Sequence, residues 1–259
     1  MRYQWIARLL ANPRVDCDAV VRPFAEEAIL HAAAGGTVVL ILDQSKVSAR
    51  HQMLVLSVRV GERALPLAWR IRETRGSIGF AEQRDLLTLV ASWLPAGTRI
   101  VLMGDRFYGS PDLIALCRGL GWDWRLRLKQ DLLVFEGGGE ATLAACFAGG
   151  QHLLSGIELT GKRVVTNVAM VHEPGHPEPW IIALSEPPTV HRALDYGLRW
   201  GVAAMFSDFK SRGFGLEDSR LRHPEQLARL LLVMALALHW AVSTGMWETA
   251  HHLPPAEKN

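Results

Sequence analysis

The chain has 259 residues, of which 49% are hydrophobic, and 28 Lys and Arg stand against 26 Asp and Glu for a formal net charge of +2. That length and composition exclude disorder as the default and provide for one large domain with a substantial core. The excess of Arg over Lys suits guanidinium contacts to phosphate, but a charge this small does not by itself establish nucleic-acid binding.

In chain order, MRYQWIARLLANPRVD lacks the long apolar core of a secretion signal and reads as helix. Residues 1–34 are helical by pattern, with VRPFAEEAILHAAA closing at Gly35 and Gly36. TVVLILD then reads as a central strand covered on both faces, ending on Asp43. QMLVLSVRV and RALPLAWRI flank Gly61 and Glu62 as a hairpin, so the first three strands form a meander. Cys17, Cys117 and Cys146 make neither a CxxC pair nor a disulfide framework, which points to a reducing, cytoplasmic setting.

AEQRDLLTLVASWL has the apolar spacing of an amphipathic helix over 81–94, closed by Pro95 and Gly97. RIVLMGD follows as a second buried strand and ends on Asp105. A helix over 111–118 and a short strand in WDWRLRL come next. Between about 130 and 185 the glycine-rich loops EGGGE and AGG and the strands RVVTNVAMV and PWIIAL, separated by HEPGHPEP, suggest a β-rich insertion. Helices return at about 189–212 and 224–247, and the last residues read as a frayed tail. Leu230 to Trp247 has no formal charge apart from a titratable His239; its 18 residues near the lower limit for a membrane span, and a buried packing helix is the simpler reading.

Two strands that each deliver an aspartate at the carboxyl end suggest a polar site there. If the strands are parallel neighbours, Asp43 and Asp105 could together hold Mg²⁺ or Mn²⁺, hard cations that take oxygen ligands. The plainer alternative is two aspartates capping turns. Gln44, Ser45 and Lys46 follow the first acid and Arg106 the second, while Arg125, Arg127 and Lys129 alternate along one strand face as phosphate contacts or as a solvated face. His172, His176, His251 and His252 lack zinc-site spacing, and His239 reads as a packed residue.

LILDQSKV, VLMGDRFYGS and DYGLRWGVAAMFSDFKSRGFGLEDS resemble the IS4-type family of DDE transposases, over roughly residues 35 to 247. Tyr196, Arg199 and Lys210 match a Tyr-x2-Arg-x3-Glu-x6-Lys signature, and Asp43 and Asp105 match the first two catalytic, metal-holding acids. The resemblance implies an α/β RNase H-like fold, a mixed sheet flanked by helices. It also implies a division into a helical remnant or linker (1–34), the first part of the core (35–129), the β-rich insertion (130–185), a C-terminal helical part (186–250) and a tail (251–259). The helical segment is shorter than the DNA-recognition region that such proteins carry, which implies truncation. The implied activity is metal-dependent cleavage of transposon ends and strand transfer into target DNA. Tyr196, Arg199, Lys210, Arg106 and Arg127 would contact double-stranded DNA, a homodimer would assemble on it, and the protein would lie on the nucleoid.

The third acid of the signature falls on residue 203, which is Ala here. A methyl group cannot ligate a metal. Asp195, Asp208, Glu217 and Asp218 offer no convincing replacement from a helix, so the resemblance implies impaired catalysis, with a noncatalytic DNA-binding or dimerising remnant as the alternative.

Overall fold

A computed structural model describes residues 2–136, 138–148, 152–172, 175, 178–210 and 212–251. Its centre is a meander of β1 (Thr37–Lys46), β2 (His51–Val60) and β3 (Arg63–Glu73), all antiparallel. After α3 (Phe80–Ala91) the chain returns as β4 (Arg99–Gly104), and after α4 (Pro111–Leu120) as β5 (Asp123–Arg127). Both returning strands run parallel to β1, giving the order β3-β2-β1-β4-β5. This mixed sheet flanked by helices is the α/β RNase H-like fold.

The sheet continues past β5 with β10 (Trp180–Leu184), β9 (Val164–Val171), β8 (Leu153–Leu159), β6 (Leu133–Glu136) and β7 (Gly139–Thr142), ten strands in all among the described residues. Residues 130–185 thus extend the central sheet, with β10 antiparallel to β5. A short α5 (Leu143–Ala148) lies between β7 and β8. His176 falls outside the described residues, as does His252.

Continuous hydrophobicity in β1 has a structural cause: Val38, Leu40, Ile41 and Leu42 are fully buried, because helices cover both faces of a central strand. α2 (Cys17–Ala33) starts on Asp16, whose side chain accepts from the backbone N–H of Asp18 and Ala19, and it packs on β1, β2 and β3. α1 (Arg2–Ala11) lies against α8 (Pro224–His251).

The helix expected over 189–212 is three pieces, α6 (Val190–Leu194), a 3₁₀ segment (Asp195–Trp200) and α7 (Gly201–Phe209). A long-range contact accompanies the break: the Leu198 carbonyl accepts from the Arg59 guanidinium at 2.7 Å. α7 then presses onto the β2–β3 turn so closely that a Cβ on Gly201 would lie 3.1 Å from the Glu62 carbonyl oxygen.

α8 is long and apolar enough to cross a membrane by length and composition. Its first half is instead packed, with Leu227, Leu231, Ala235 and Leu238 buried and His239 Nε2 2.8 Å from the Pro66 carbonyl oxygen. Burial depresses the His239 pKa, so the neutral ring donates this bond. Beyond His239 the helix outruns its supports, and Trp240, Met246 and Trp247 are exposed. The buried helix expected to run to 247 is therefore buried on one side over its first half only: at 1.5 Å per residue, 28 residues of α8 reach well past the 17 of α2.

Candidate active site

Parallel pairing places the two acids together. Leu42 of β1 is opposite Gly104 of β4, so the next residues, Asp43 and Asp105, lie side by side where β4 ends, while β1 runs on to Lys46 paired with β2 rather than stopping at Asp43. A tight turn follows Asp105: its Oδ1 accepts from the Phe107 N–H at 2.8 Å and its carbonyl from the Tyr108 N–H at 2.9 Å. Gly104 and Gly109 make this turn possible. A Cβ at Gly104 would stand 2.9 Å from Tyr108 Cβ, and one at Gly109 only 2.1 Å from the Arg127 carbonyl oxygen.

Arg199 joins the acids from the 3₁₀ segment. Its Nη2 donates to Asp43 Oδ2 at 2.7 Å and stands 3.9 Å from Asp105 Oδ2. The other Asp43 oxygen accepts from the Gln44 N–H at 2.8 Å. Asp43 is only 7% exposed, and burial pushes its carboxyl up to about 6 despite the opposing pull of Arg199, with the Asp105 charge adding to the rise. Burial also acts against the Arg199 charge, but Asp43 and its neighbours outweigh it and hold that guanidinium above its ordinary pKa.

Two polar atoms at this centre, Arg199 Nε and the Tyr108 hydroxyl, are buried without a hydrogen-bond partner. Burial, reinforced by Asp43 and Asp105, raises the Tyr108 pKa, so it stays a neutral donor. The acids open on a cleft of about 290 Å³ lined by Gln44, Gln52, Arg75, Gly76, Ser77, Phe107 and Tyr108. Gln44 shapes its wall: its side chain accepts from the Ile78 N–H at 2.8 Å and donates to the Gly76 carbonyl at 3.3 Å, pinning the segment that carries Arg75.

Of the remaining residues singled out by sequence, Tyr196 stays beside Arg199, its ring 6.0 Å from the guanidinium, and the others are dispersed. Tyr196 is buried edge-on against Trp180, and burial lifts its hydroxyl to about 12. Ala203 is exposed and is not part of the cleft lining. Lys210 sits beyond the end of α7 and pairs with Glu217 at 3.3 Å, while Asp208 pairs with Arg63 at 2.9 Å. Arg106 and Arg127 share Glu178 at 3.3 and 3.5 Å. Arg125, by contrast, is buried and bound to Glu186 at 2.5 Å, so it does not share the exposure of Arg127. Sequence reading missed Arg75, Phe107 and Tyr108; the last two lie within three residues of Asp105, but no local pattern brings Arg75 to the acids.

The donor set fits a single divalent cation. Two carboxylates supply hard oxygen ligands, and Mg²⁺ commonly uses one or two carboxylates with water and substrate phosphate completing its shell. Among the described residues no group of three or more His, Cys, Asp and Glu could hold a metal, so a closed all-protein cage does not fit.

No family model matches the chain, and no curated protein matches it. Solved structures similar to it include human ENDOV, at 13% identity and a TM-score of 0.34, covering 87% of this chain and 99% of that one. Ciona intestinalis endonuclease V in complex with a 24-mer DNA containing an inosine followed by a ribo-adenosine is 13% identical, with a TM-score of 0.32, covering 88% of this chain and 96% of that one. The catalytic domain of human endonuclease V is 15% identical, with a TM-score of 0.30 and coverages of 94% and 96%. Likeness at this level carries no assignment of activity.

These findings correct the IS4-type DDE transposase expectation: the solved structures named above are endonuclease V structures, and no family model matches the chain. Transposon-end cleavage with strand transfer, and the transposase remnant offered as its alternative, fall with that assignment. The physical reason is in the signature segment. A 3₁₀ segment, a short α-helix and a residue outside both replace the continuous helix expected over 189–212, with Tyr196 buried, Ala203 exposed and Lys210 beyond the helix end.

Proposed function

We propose that the chain is a divalent-metal-dependent nuclease that hydrolyses nucleic-acid phosphodiester bonds at Asp43 and Asp105. The observation that carries this reading is the juxtaposition of two carboxylates where the parallel pairing of β1 and β4 ends, opening on a cleft that also exposes Arg75. Asp43 and Asp105 would hold Mg²⁺ or Mn²⁺, which when bound would supply Lewis-acid activation of water and neutralise phosphate charge.

The chain's own groups do the positioning. Arg199 fixes Asp43 Oδ2 and limits the negative charge that two close carboxylates accumulate. Tyr196, buried with its ring 6.0 Å from the Arg199 guanidinium, holds that arginine in place. The unpartnered Tyr108 hydroxyl, itself shielded from solvent, would be a donor for a phosphate oxygen or water that penetrates to it. Arg75 would bind phosphate on the cleft wall. Arg106 and Arg127 would extend that contact along the backbone by exchanging the solvent-exposed Glu178 for phosphate, which adds affinity without reading sequence. Lys210, paired with Glu217, would make a peripheral contact of the same kind.

The test is incubation of end-labelled DNA and RNA oligonucleotides with the protein in Mg²⁺, Mn²⁺ or EDTA, followed by analysis of the product termini. Cleavage in either metal, abolished by EDTA and yielding one phosphate and one hydroxyl terminus per break, supports the proposal. A protein that binds these oligonucleotides but leaves them intact in both metals contradicts it.

A further inference from the structure

Phe107 lies two residues beyond Asp105, at the rim of the cleft, and is 66% exposed. An isolated exposed phenylalanine is ordinary on a protein surface, but this one is held in place. Its backbone N–H is bound by the Asp105 carboxylate at 2.8 Å, the next residue is the buried Tyr108, and Gly109 then packs against the Arg127 carbonyl. The turn that fixes an acid of the site therefore also fixes an aromatic ring in solvent beside it.

Cations stand on the ring's flanks. Lys129 Nζ stands 5.9 Å from the Phe107 ring centroid, and Arg75 lines the same cleft. Among the described residues neither Arg75 nor Lys129 forms an ion pair. Arg106, the residue between Asp105 and Phe107, is half-exposed and held only by Glu178 among the described carboxylates. An aromatic face flanked by cations is the arrangement that binds single-stranded nucleic acid, with bases stacking on the ring and phosphates meeting the charges. A base within a paired duplex offers no free face for such a ring.

We infer that Phe107 is a stacking platform for an unpaired base, which makes single-stranded or locally splayed nucleic acid the preferred ligand of this site. Stacking there would place the phosphate of the bound nucleotide near Arg75 and Lys129 and bring its neighbour toward the acids. This inference rests on the nuclease reading for its consequence, but the binding it describes is measured without cleavage.

The experiment uses the full chain in EDTA, with fluorescence anisotropy on a 12-nucleotide single-stranded DNA, the same sequence as RNA, and the DNA as a blunt duplex, for wild type, Phe107→Ala and Phe107→Trp. A second probe carries 2-aminopurine at successive positions, since stacking on an aromatic ring quenches its emission. Wild type is expected to favour the single strands, and Phe107→Ala to weaken them about 5- to 150-fold, the range for loss of one stacked base. Duplex affinity should stay within twofold, the quench at one position should disappear, and Phe107→Trp should restore both. Preference for RNA over DNA, or the reverse, would show whether the sugar is also read, with the stacking result common to both.

Unchanged single-strand affinity in Phe107→Ala, or equal losses on single strand and duplex, overturns the inference. Stacking-dependent binding by a protein that cleaves nothing would leave it standing while sinking the nuclease reading. Metal-dependent cleavage that is indifferent to Phe107→Ala would do the opposite.

Discussion

Asp43→Asn should make the metal-free protein more stable at neutral pH. The carboxyl holds its proton more tightly in the folded chain, at about 6, than at its ordinary value of 3.8, so ionisation opposes folding. The penalty is absent below about 3.8 and complete above about 6, and stability from this group is lost as pH rises through that window. At about 1.4 kcal/mol per pH unit, the full penalty is about 3 kcal/mol, an upper value for the gain from a neutral amide. The pair with Arg199 at 2.7 Å is already contained in that balance, because its attraction opposes the desolvation that raises the pKa. Urea unfolding of wild type and Asp43→Asn in EDTA, at pH 4 and at pH 7.5, measures the effect as a difference of differences, which cancels any pH-independent cost of the substitution. The variant should gain about 1–3 kcal/mol relative to wild type between the two pH values. No relative gain, or a relative loss at pH 7.5, would refute the reasoning and show that ion pairing with Arg199 outweighs burial.

Other outcomes follow from the same geometry. Mn²⁺ should raise the unfolding midpoint of wild type at pH 7.5 by mass action and leave Asp43→Asn and Asp105→Asn within error of their EDTA values; equal shifts in all three proteins would place the ion elsewhere. Because Asp43 must be ionised to ligate, Mn²⁺ affinity should fall as pH drops below about 6, by up to tenfold per unit, as read by electron paramagnetic resonance. Gly109→Ala should cost at least 2 kcal/mol in urea unfolding, since its Cβ would meet a backbone oxygen at 2.1 Å; a cost under 0.5 kcal/mol would mean that the turn relaxes freely. Glu186→Gln should lose about 1–3 kcal/mol by depriving the buried Arg125 of its partner. Burial works to raise the Glu186 pKa, but hydrogen bonds and charge from Arg125 and Arg99 outweigh it and hold the pKa below 4.5. The wild-type contribution is therefore present above that ordinary value and fades as pH falls through the depressed one, so a Glu186→Gln deficit that persisted undiminished at pH 2.5 would contradict the assignment.

The sequence made the centre of the fold legible because buried parallel strands leave a plain trace. TVVLILD and RIVLMGD are almost continuously apolar and each runs to an aspartate, but whether the two strands are parallel neighbours was left open by the sequence. That logic led directly to Asp43 and Asp105. Contacts between distant residues left no such trace. Arg59 and Leu198 lie 139 positions apart, yet their hydrogen bond accompanies the change from α to 3₁₀ geometry that brings Arg199 to Asp43. Gln44 likewise pins residues 76 and 78 across more than 30 positions and so sets where Arg75 stands. The spacing of Tyr196, Arg199 and Lys210 suggested one helix over 189–212, which the 3₁₀ segment interrupts. The same limit explains α8, whose apolar composition runs on beyond the last element able to cover it.

If Asp43 and Asp105 form one centre for phosphodiester hydrolysis, each must be needed for cleavage. The most direct measurement is the single-turnover cleavage rate of a labelled single-stranded oligonucleotide in Mn²⁺ at pH 7.5, for wild type, Asp43→Asn and Asp105→Asn purified in parallel, with folding of each checked by circular dichroism. Cleavage by wild type, with each variant folded and at least 100-fold slower, is the expected result. Folded wild type that cleaves nothing, or variants that cleave at the wild-type rate, would contradict the central claim.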